Sequence, residues 1–239
     1  LKEVKEQFAV EEGVAFRKTQ NLWDNSDRGL EMTIDAAGSP DTIYFQRTDV
    51  SQLGEDEVVV GVEAAGVGHR DLEVVLGSIP WAPPSYEGAG KIIKTGSRIS
   101  HLREGDNVFF LAPDSSALAT EVKLPSWLVG KIPEGVSITD AATLPLAYSL
   151  AVLALIQTAR LRKNETVLIH AAAGAVGQAC VVLAQNVGAH VYVTAGNEAK
   201  RDFLHQRFGI PKNRIFSSRT PEFRDQILSA TANKGIDVI

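Results

Sequence analysis

Two patterns of apolar and polar positions divide the chain into two parts. Up to about residue 130, short runs of alternating apolar and polar residues follow one another, separated by turns such as Gly38-Ser-Pro40. A period of two is typical of half-buried strands, and it predicts strands near 30–34, 42–47 and 57–63. Several short strands at this spacing predict an antiparallel barrel or sandwich.

From residue 138 the pattern changes to helices that alternate with strands. Helical spacing of apolar residues alternates with short β-branched runs, which is typical of a parallel, doubly wound sheet. Because a half-built sheet leaves an unpaired edge, we expect the natural protein to continue after Ile239. The predicted helices are 149–161, 176–187, 198–208 and 221–230, and the predicted strands are 167–170, 191–195, 214–217 and 236–239.

The two patterns together predict an α/β protein in three parts. Residues 1–27 are a linker that leads into the first domain, and residues 28–137 form the antiparallel barrel or sandwich. Residues 138–239 form a domain with a parallel, doubly wound sheet, truncated at its fourth strand.

The run from Thr166 to Gln178 carries the chemistry of the second half. It reads as a strand, a turn of small residues, and a helix that begins near Val176. Backbone N–H groups and the positive helix end suit a pyrophosphate there, although small residues also occur where a helix simply packs close to a sheet. The candidate cofactor residues of this turn are Ala173, Gly174, Ala175, Val176 and Gly177.

The end of the second predicted strand indicates which dinucleotide is bound. NAD-binding proteins generally carry an acid here for the ribose 2′-hydroxyl, but this strand ends in the neutral pair Ala195-Gly196 and cations follow. This favours a 2′-phosphate and hence NADPH, whereas the alternative is that the cations are only a solvated helix face. The further candidate cofactor residues are Gly196, Asn197, Lys200, Arg201, Ser218 and Arg219.

Composition narrows the class of partner and of site. The net charge of −5 argues against nucleic acid, and the apolar stretch 144–156 is too short to span a bilayer. The polar N-terminal residues carry no signal peptide, so we expect no membrane association and a cytoplasmic protein. The single cysteine, Cys180, excludes an internal disulfide and a multi-cysteine zinc site, and we expect it in the core and no bound metal.

Further motifs stand in order along both halves. They are Gly66–Asp71, Tyr86–Gly90, Gly105–Val108, Ala141–Pro145, His170–Gly177, Gly196–Arg201, Phe216–Arg219 and Gly235–Ile239. This set resembles the enoyl reductase domain of fungal highly reducing polyketide synthases, and is similar also to that of animal fatty acid synthase. These domains belong to the zinc-free, quinone-reductase-like medium-chain dehydrogenase/reductases.

The resemblance implies a fold, a reaction and partners. Residues 28–137 would be a GroES-like barrel on the substrate side, and residues 138–239 an incomplete Rossmann-type, dinucleotide-binding domain that takes NADP. NADPH would reduce an α,β-unsaturated acyl thioester carried on the phosphopantetheine of an acyl carrier protein. The partners implied are that carrier protein, the neighbouring synthase domains and a second copy of the chain in a homodimer.

The chain departs from the family at several positions of the pocket. Gly68 stands where the family usually has Asn, Ile79 replaces a Tyr found in many modular synthases, and Leu150 replaces a Thr. The Lys and Asp proton donors of the family would fall beyond Ile239. His69 is therefore a candidate donor to the enolate, with a packed histidine as the alternative.

These departures leave three hypotheses open. The first is an active enoyl reductase. The second is a catalytically inactive scaffold domain, with reduction supplied by a separate trans-acting enoyl reductase. The third is a free-standing quinone or alkenal reductase. The adjacent Arg70 and Asp71 are predicted to form a structural ion pair at the barrel rim.

Overall fold

A computed structural model of the chain describes residues 3–11, 14–21, 29–79 and 82–239. These residues divide into two compact units, Leu1–Pro145 and Leu146–Ile239, and each unit has its own core. The first unit consists mainly of strands, and the second alternates helices with strands. This mixed α/β architecture confirms the predicted fold class.

The first unit contains short strands and two short helices within the described residues. Its strands are β1 (Glu3–Glu11), β2 (Val14–Asn21), β3 (Gly29–Ile34), β4 (Ile43–Thr48), β5 (Glu57–Ala65), β6 (Glu87–Thr95), β7 (Asn107–Leu111), β8 (Glu121–Pro125) and β9 (Val129–Lys131). Its helices are α1 (His69–Val75) and α2 (Ile138–Ala141), and 3-10 turns lie at Pro40–Thr42 and Ser126–Leu128.

These strands form two sheets. The larger sheet has the order β8-β5-β6-β7-β9, all antiparallel, and the smaller has the order β2-β1-β4-β3. An antiparallel bridge between Glu31 and Ala119 continues the pairing of β3, and Val62 of β5 donates to Thr120 O at 2.9 Å. The core of the larger sheet is apolar, with Val58, Val60 and others wholly buried.

The second unit contains a parallel sheet with helices around it. Its elements are α3 (Pro145–Ala151), a π-helix (Val152–Thr158), β10 (Thr166–Ile169), α4 (Ala175–Val187), β11 (His190–Ala195), α5 (Glu198–Phe208), a 3-10 turn (Lys212–Arg214), β12 (Ile215–Ser217) and α6 (Phe223–Ala230). The helices and strands lie where the apolar period predicts them, except that the predicted helix 149–161 is an α-helix that continues as a π-helix.

The strand order of this unit positions the site. The sheet runs β12-β11-β10, all parallel, and Val238 pairs in parallel with Val167 on the far side of β10. Leu168 N donates to Val238 O at 2.9 Å, so the segment predicted as the fourth strand pairs with β10 at a single bridge. In chain order the sheet is therefore 3-2-1-4, and such sheets bind ligands outside the carboxyl ends of their strands, where the strand order reverses.

The core of this unit has two layers, one on each face of the sheet. The larger layer joins β10 and β11 to α4 and contains Cys180, which confirms its predicted place in the core. Burial raises the pKa of the Cys180 thiol. The smaller layer joins Leu168, Tyr192 and Phe216 to α6. Over the described ranges, no helix combines the length and the apolar character that crossing a membrane requires.

Candidate functional site

The turn after β10 is built by one unusual backbone conformation. Ala171 has φ +51°, a left-handed value that is uncommon for a residue with a Cβ. The carbonyl of Ala171 accepts the N–H of Gly174 at 2.9 Å, which closes the turn immediately before α4 begins at Ala175. The chain therefore leaves the strand and enters the helix within five residues.

Gly177 lets the helix approach this turn. A Cβ at Gly177 would lie 2.6 Å from both Ala171 O and Ala172 Cα, which is closer than any real Cβ contact allows. At Gly174 the same atom would meet Ala171 O at 3.4 Å, an ordinary contact. The close approach of helix and strand therefore depends on Gly177, and it places the first turn of α4 beside the end of β10.

The first turn of α4 presents unpaired donors. Gly174 caps the helix without a side-chain bond, and the first intrahelical donor is Gln178 N, to Gly174 O at 2.9 Å. Within the described residues, the N–H groups of Ala175, Val176 and Gly177 have no protein acceptor. Ala175 and Val176 are exposed, and the helix dipole adds positive charge there, so an anion can bind at this helix end.

Cations surround the end of the neighbouring strand β11. Arg201 Nη1 lies 3.4 Å from Ala195 O, and Arg219 Nε lies 3.4 Å from Gly196 O. A Cβ at Gly196 would lie 3.1 Å from Arg219 Nε, so the glycine leaves room for this guanidinium.

Lys200 is an exposed cation on the first turn of α5. No carboxylate in the described part of the chain pairs with Lys200, Arg201 or Arg219. The three cations keep their charge available, as a phosphate dianion requires.

The remaining candidates near β11 have local partners. Asn197 is the N-cap of α5, and its Oδ1 accepts Lys200 N at 2.9 Å, so this side chain holds the helix start. Ser218 is exposed, and its backbone N–H donates to Ala195 O at 3.3 Å. Ser217 Oγ accepts Arg219 N at 3.2 Å, which orients the loop that carries the arginine.

A further polar pair, His170 and Thr194, links the carboxyl ends of β10 and β11. His170 Nδ1 lies 3.0 Å from Thr194 Oγ1, and the His170 ring meets Phe223 edge-on with centroids 5.4 Å apart. The sequence interpretation did not single out these side chains. A signal was present, because each apolar strand ends in a polar residue, and parallel pairing of Ile169 with Val193 places the next residues side by side.

In the first unit, the carboxylate of Asp71 at the start of α1 has backbone partners. Asp71 is 8% exposed, and its carboxylate accepts Gly68 N at 2.7 Å and Ser85 N at 2.8 Å. Arg70 instead stacks on the ring of Tyr86, with Cζ 3.5 Å from the centroid, and Nη2 contacts the Tyr86 hydroxyl. The predicted Arg70–Asp71 ion pair is therefore wrong, because backbone donors occupy the carboxylate.

The positions where the chain departs from the family are accessible. The side chain of His69 is 82% exposed and its Nε2 lies 3.6 Å from Glu73 Oε1, so the packed-histidine interpretation is wrong. Gly68 has open space, since a Cβ there would meet only Asp71 Oδ2 at 3.8 Å. Leu150 is 41% exposed on α3. Neither Gly68 nor Leu150 offers a polar side-chain atom.

Comparison with known proteins agrees with both units. Residues 54–134 match the alcohol dehydrogenase GroES-like domain. The highly reducing polyketide synthase PKS2 of Leptosphaeria maculans is 92% identical over 239 residues, which are 100% of this chain and 9% of that protein. The CurK enoyl reductase structure has a TM-score of 0.80 and 33% identity, over 89% of this chain and 67% of that one.

A more distant structure shows the same fold. An Escherichia coli quinone oxidoreductase complexed with NADPH has a TM-score of 0.72 at 24% identity, over 87% of this chain and 64% of that one. The GroES-like unit and the parallel sheet that follows it place the chain among the medium-chain dehydrogenase/reductases. Within that class, the chain belongs to the enoyl reductase regions of fungal highly reducing polyketide synthases. It spans only 9% of the length of the synthase relative given above.

Proposed function

We propose that this region binds NADPH and reduces the double bond of an α,β-unsaturated acyl thioester on an acyl carrier protein. The observation that carries the proposal is the pairing of two features at one sheet edge. Among the described residues, the N–H groups that open α4 have no protein acceptor, and the cations near the end of β11 have no carboxylate partner. The first suits a pyrophosphate and the second suits a ribose 2′-phosphate.

The residues present fit NADPH better than NADH. The N–H groups of Ala175 and Val176 would donate to the pyrophosphate, where Gly177 allows the backbone to come close. Lys200, Arg201 and Arg219 would hold the 2′-phosphate. In this role Gly196 supplies no acid that would compete for these cations or repel the phosphate.

When bound, NADPH supplies a hydride for the β-carbon of the enoyl chain, and a proton must reach the α-carbon. This chain's part is to orient the cofactor and to provide polar contacts for the enolate oxygen. Among the described residues His69 is our candidate proton donor, because its ring is exposed and can exchange protons with solvent.

The partners follow from the synthase family. Neighbouring synthase domains are implied by the relatives, in which this region is one part of a long chain. We extend this to a carrier protein whose phosphopantetheine brings the substrate, to a homodimer, and to a cytoplasmic location. These partners belong to the full-length protein.

A second candidate function is supported by a specific observation. Gly68 and Leu150 remove two polar groups that the family usually places beside the nicotinamide, and the neighbouring Asp71 is already engaged by backbone donors. Loss of such a partner costs about 1–3 kcal/mol for each cofactor group that binding removes from water. The region would then be a scaffold that binds the cofactor without turnover, while a trans-acting enoyl reductase performs the reduction.

One experiment separates these functions. NADPH is titrated into the full-length protein by nicotinamide fluorescence, and reduction of a crotonyl thioester is then followed at saturating NADPH. Binding with turnover supports the reductase, and binding without turnover supports the scaffold. Absence of binding contradicts both, because each keeps the turn after β10 as a cofactor site.

A further inference from the structure

The carboxyl ends of β10 and β11 are joined by one residue, Thr194. Its hydroxyl lies 3.0 Å from His170 Nδ1, and its carbonyl accepts Ala172 N at 3.1 Å. The Thr194 side chain is wholly buried, at 0% exposure. Thr194 therefore holds the residues on both sides of Ala171, one through its side chain and the other through its backbone.

Ala171 is the residue that needs such support. Its φ of +51° lies in the left-handed region, which is unfavourable for a residue with a Cβ and persists only where the surroundings hold it. The orientation of the Ala171 carbonyl depends on this conformation. That carbonyl accepts Gly174 N at 2.9 Å and faces Gly177, so it sets where α4 begins.

The histidine has a second support on the α6 side of the sheet. The edge of the His170 ring packs on Phe223 at an interplanar angle of 78°, and Phe223 is the first residue of α6. His170 is exposed, and its imidazole is contacted by the Thr194 hydroxyl on one side and by the Phe223 ring on the other. Position 170 therefore has side-chain contacts with two elements, β11 and α6.

We propose that Thr194 and His170 are positioning residues for the dinucleotide. They hold Ala171 in its left-handed conformation, and so pre-organise the N–H groups of Ala175 and Val176 for the pyrophosphate. This inference rests on the proposed cofactor function. It adds that the shape of the turn depends on the hydrogen bond between His170 and Thr194 of the neighbouring strand. Neither side chain needs to contact the cofactor.

The variants follow from the atoms involved. Thr194→Val keeps the shape and the carbonyl but removes the hydroxyl, and His170→Leu removes its ring partner. His170→Asn can place a polar atom where Nδ1 lies, so it should restore the link. We expect Thr194→Val and His170→Leu each to raise the Kd for NADPH about five- to tenfold, and His170→Asn about twofold, in the full-length protein.

Hydrogen exchange tests the link without any cofactor. In the free protein, Thr194→Val and His170→Leu should speed exchange of the Ala172 and Gly174 amides, whereas His170→Asn should leave it slow. Thr231→Val is the matched control, since its hydroxyl bonds Ile227 O at 2.9 Å at the other end of α6. This control should lower stability without changing NADPH affinity or exchange in the turn.

The outcomes distinguish this inference from the proposed function. If the wild-type protein fails to bind NADPH, the cofactor function fails, while faster exchange in the variants still supports the link. If Thr194→Val leaves both the exchange of Ala172 and the Kd unchanged, the inference is overturned. An equal loss of affinity in His170→Asn and His170→Leu would also overturn it, because the hydrogen bond would then not be the cause.

Discussion

The turn at the end of β10 and the segment that leads into α1 treat their polar groups in opposite ways. At the turn, the N–H groups that open α4 have no acceptor and the nearby cations have no carboxylate partner in the part of the chain that the structure describes. At the start of α1, the carboxylate of Asp71 takes two backbone donors, from the exposed Gly68 and from the buried Ser85. The first region leaves donors open to an external anion, whereas in the second region the carboxylate already holds backbone donors of the protein. Cofactor binding and fold stability should therefore respond to different substitutions.

The largest expected effect is on stability, at the Asp71 carboxylate. Asp71→Ala leaves the N–H groups of Gly68 and Ser85 without their acceptor, which should lower the free energy of unfolding by about 2–4 kcal/mol. Urea denaturation measures this change, and Asp114→Ala, at an exposed position, is the control. Unchanged stability would mean that water satisfies both donors and that the Asp71 carboxylate is not needed there.

The next effect is on the turn itself. Gly177→Ala forces a Cβ against Ala171 O and Ala172 Cα, so the helix must move away, and affinity for NADPH should fall about 10- to 100-fold. Gly174→Ala, whose Cβ makes an ordinary contact, should cost only about two- to threefold. Fluorescence titration measures both values. Equal losses would show that close helix approach is not what the site requires.

Restoring the absent polar groups sharpens the difference between binding and catalysis. The double substitution Gly68→Asn with Leu150→Thr should raise kcat/KM for a crotonyl thioester about 5- to 30-fold if the region is a reductase. There is room for it, since Gly68 faces open space and Leu150 is exposed. A fall in activity would mean that these departures are adaptations of this chain. The NADPH titration is repeated on the same variant as the control.

A smaller effect is expected at Lys200, and it concerns the preference for NADPH over NADH. Lys200→Gln should weaken NADPH about three- to tenfold and leave NADH within about twofold, because only NADPH carries the 2′-phosphate. Lys212→Gln is the matched control, since Lys212 lies in the same unit but 3.7 Å from Asp202. Equal losses for the two cofactors would assign Lys200 to the solvated face of α5.

The smallest effect is a pH dependence at the fourth strand. The backbone N–H of Thr166, and then its hydroxyl, hold the pKa of Asp237 below its ordinary value of 3.8. A lowered folded-state pKa adds stability above that value, and the stability is lost as pH falls through the folded pKa. Asp237→Asn should therefore flatten the loss of stability below about pH 4 in acid denaturation. An unchanged acid limb would contradict this role.

Sequence predicted most of the second unit because its apolar period is regular. The first three strands, the helices and the turn lie where spacing places them, and the predicted fourth strand is a single bridge at Val238. In the first unit, α1 is missing from the prediction because seven residues are too few for a helical period to appear. The switch from α-helix to π-helix at Val152 was missed for a different reason, since apolar spacing does not distinguish the two bonding patterns.

The site was predictable in its residue types but not in its contacts. Sequence identified Lys200, Arg201 and Arg219 as cations, but only the structure shows two of them lying on strand-end carbonyls. The predicted partner of Asp71 was wrong because a neighbour in sequence competes with backbone donors that the fold brings from Ser85. Side-chain partners depend on tertiary contacts, which one sequence does not specify.

The most direct test of the central claim is a crystal structure of the full-length protein with NADPH. The account predicts pyrophosphate oxygens within hydrogen-bond distance of the N–H groups of Ala175 and Val176, and the 2′-phosphate among Lys200, Arg201 and Arg219. A turn that stays empty in excess NADPH, or that is filled by one of the protein's own side chains, would contradict it.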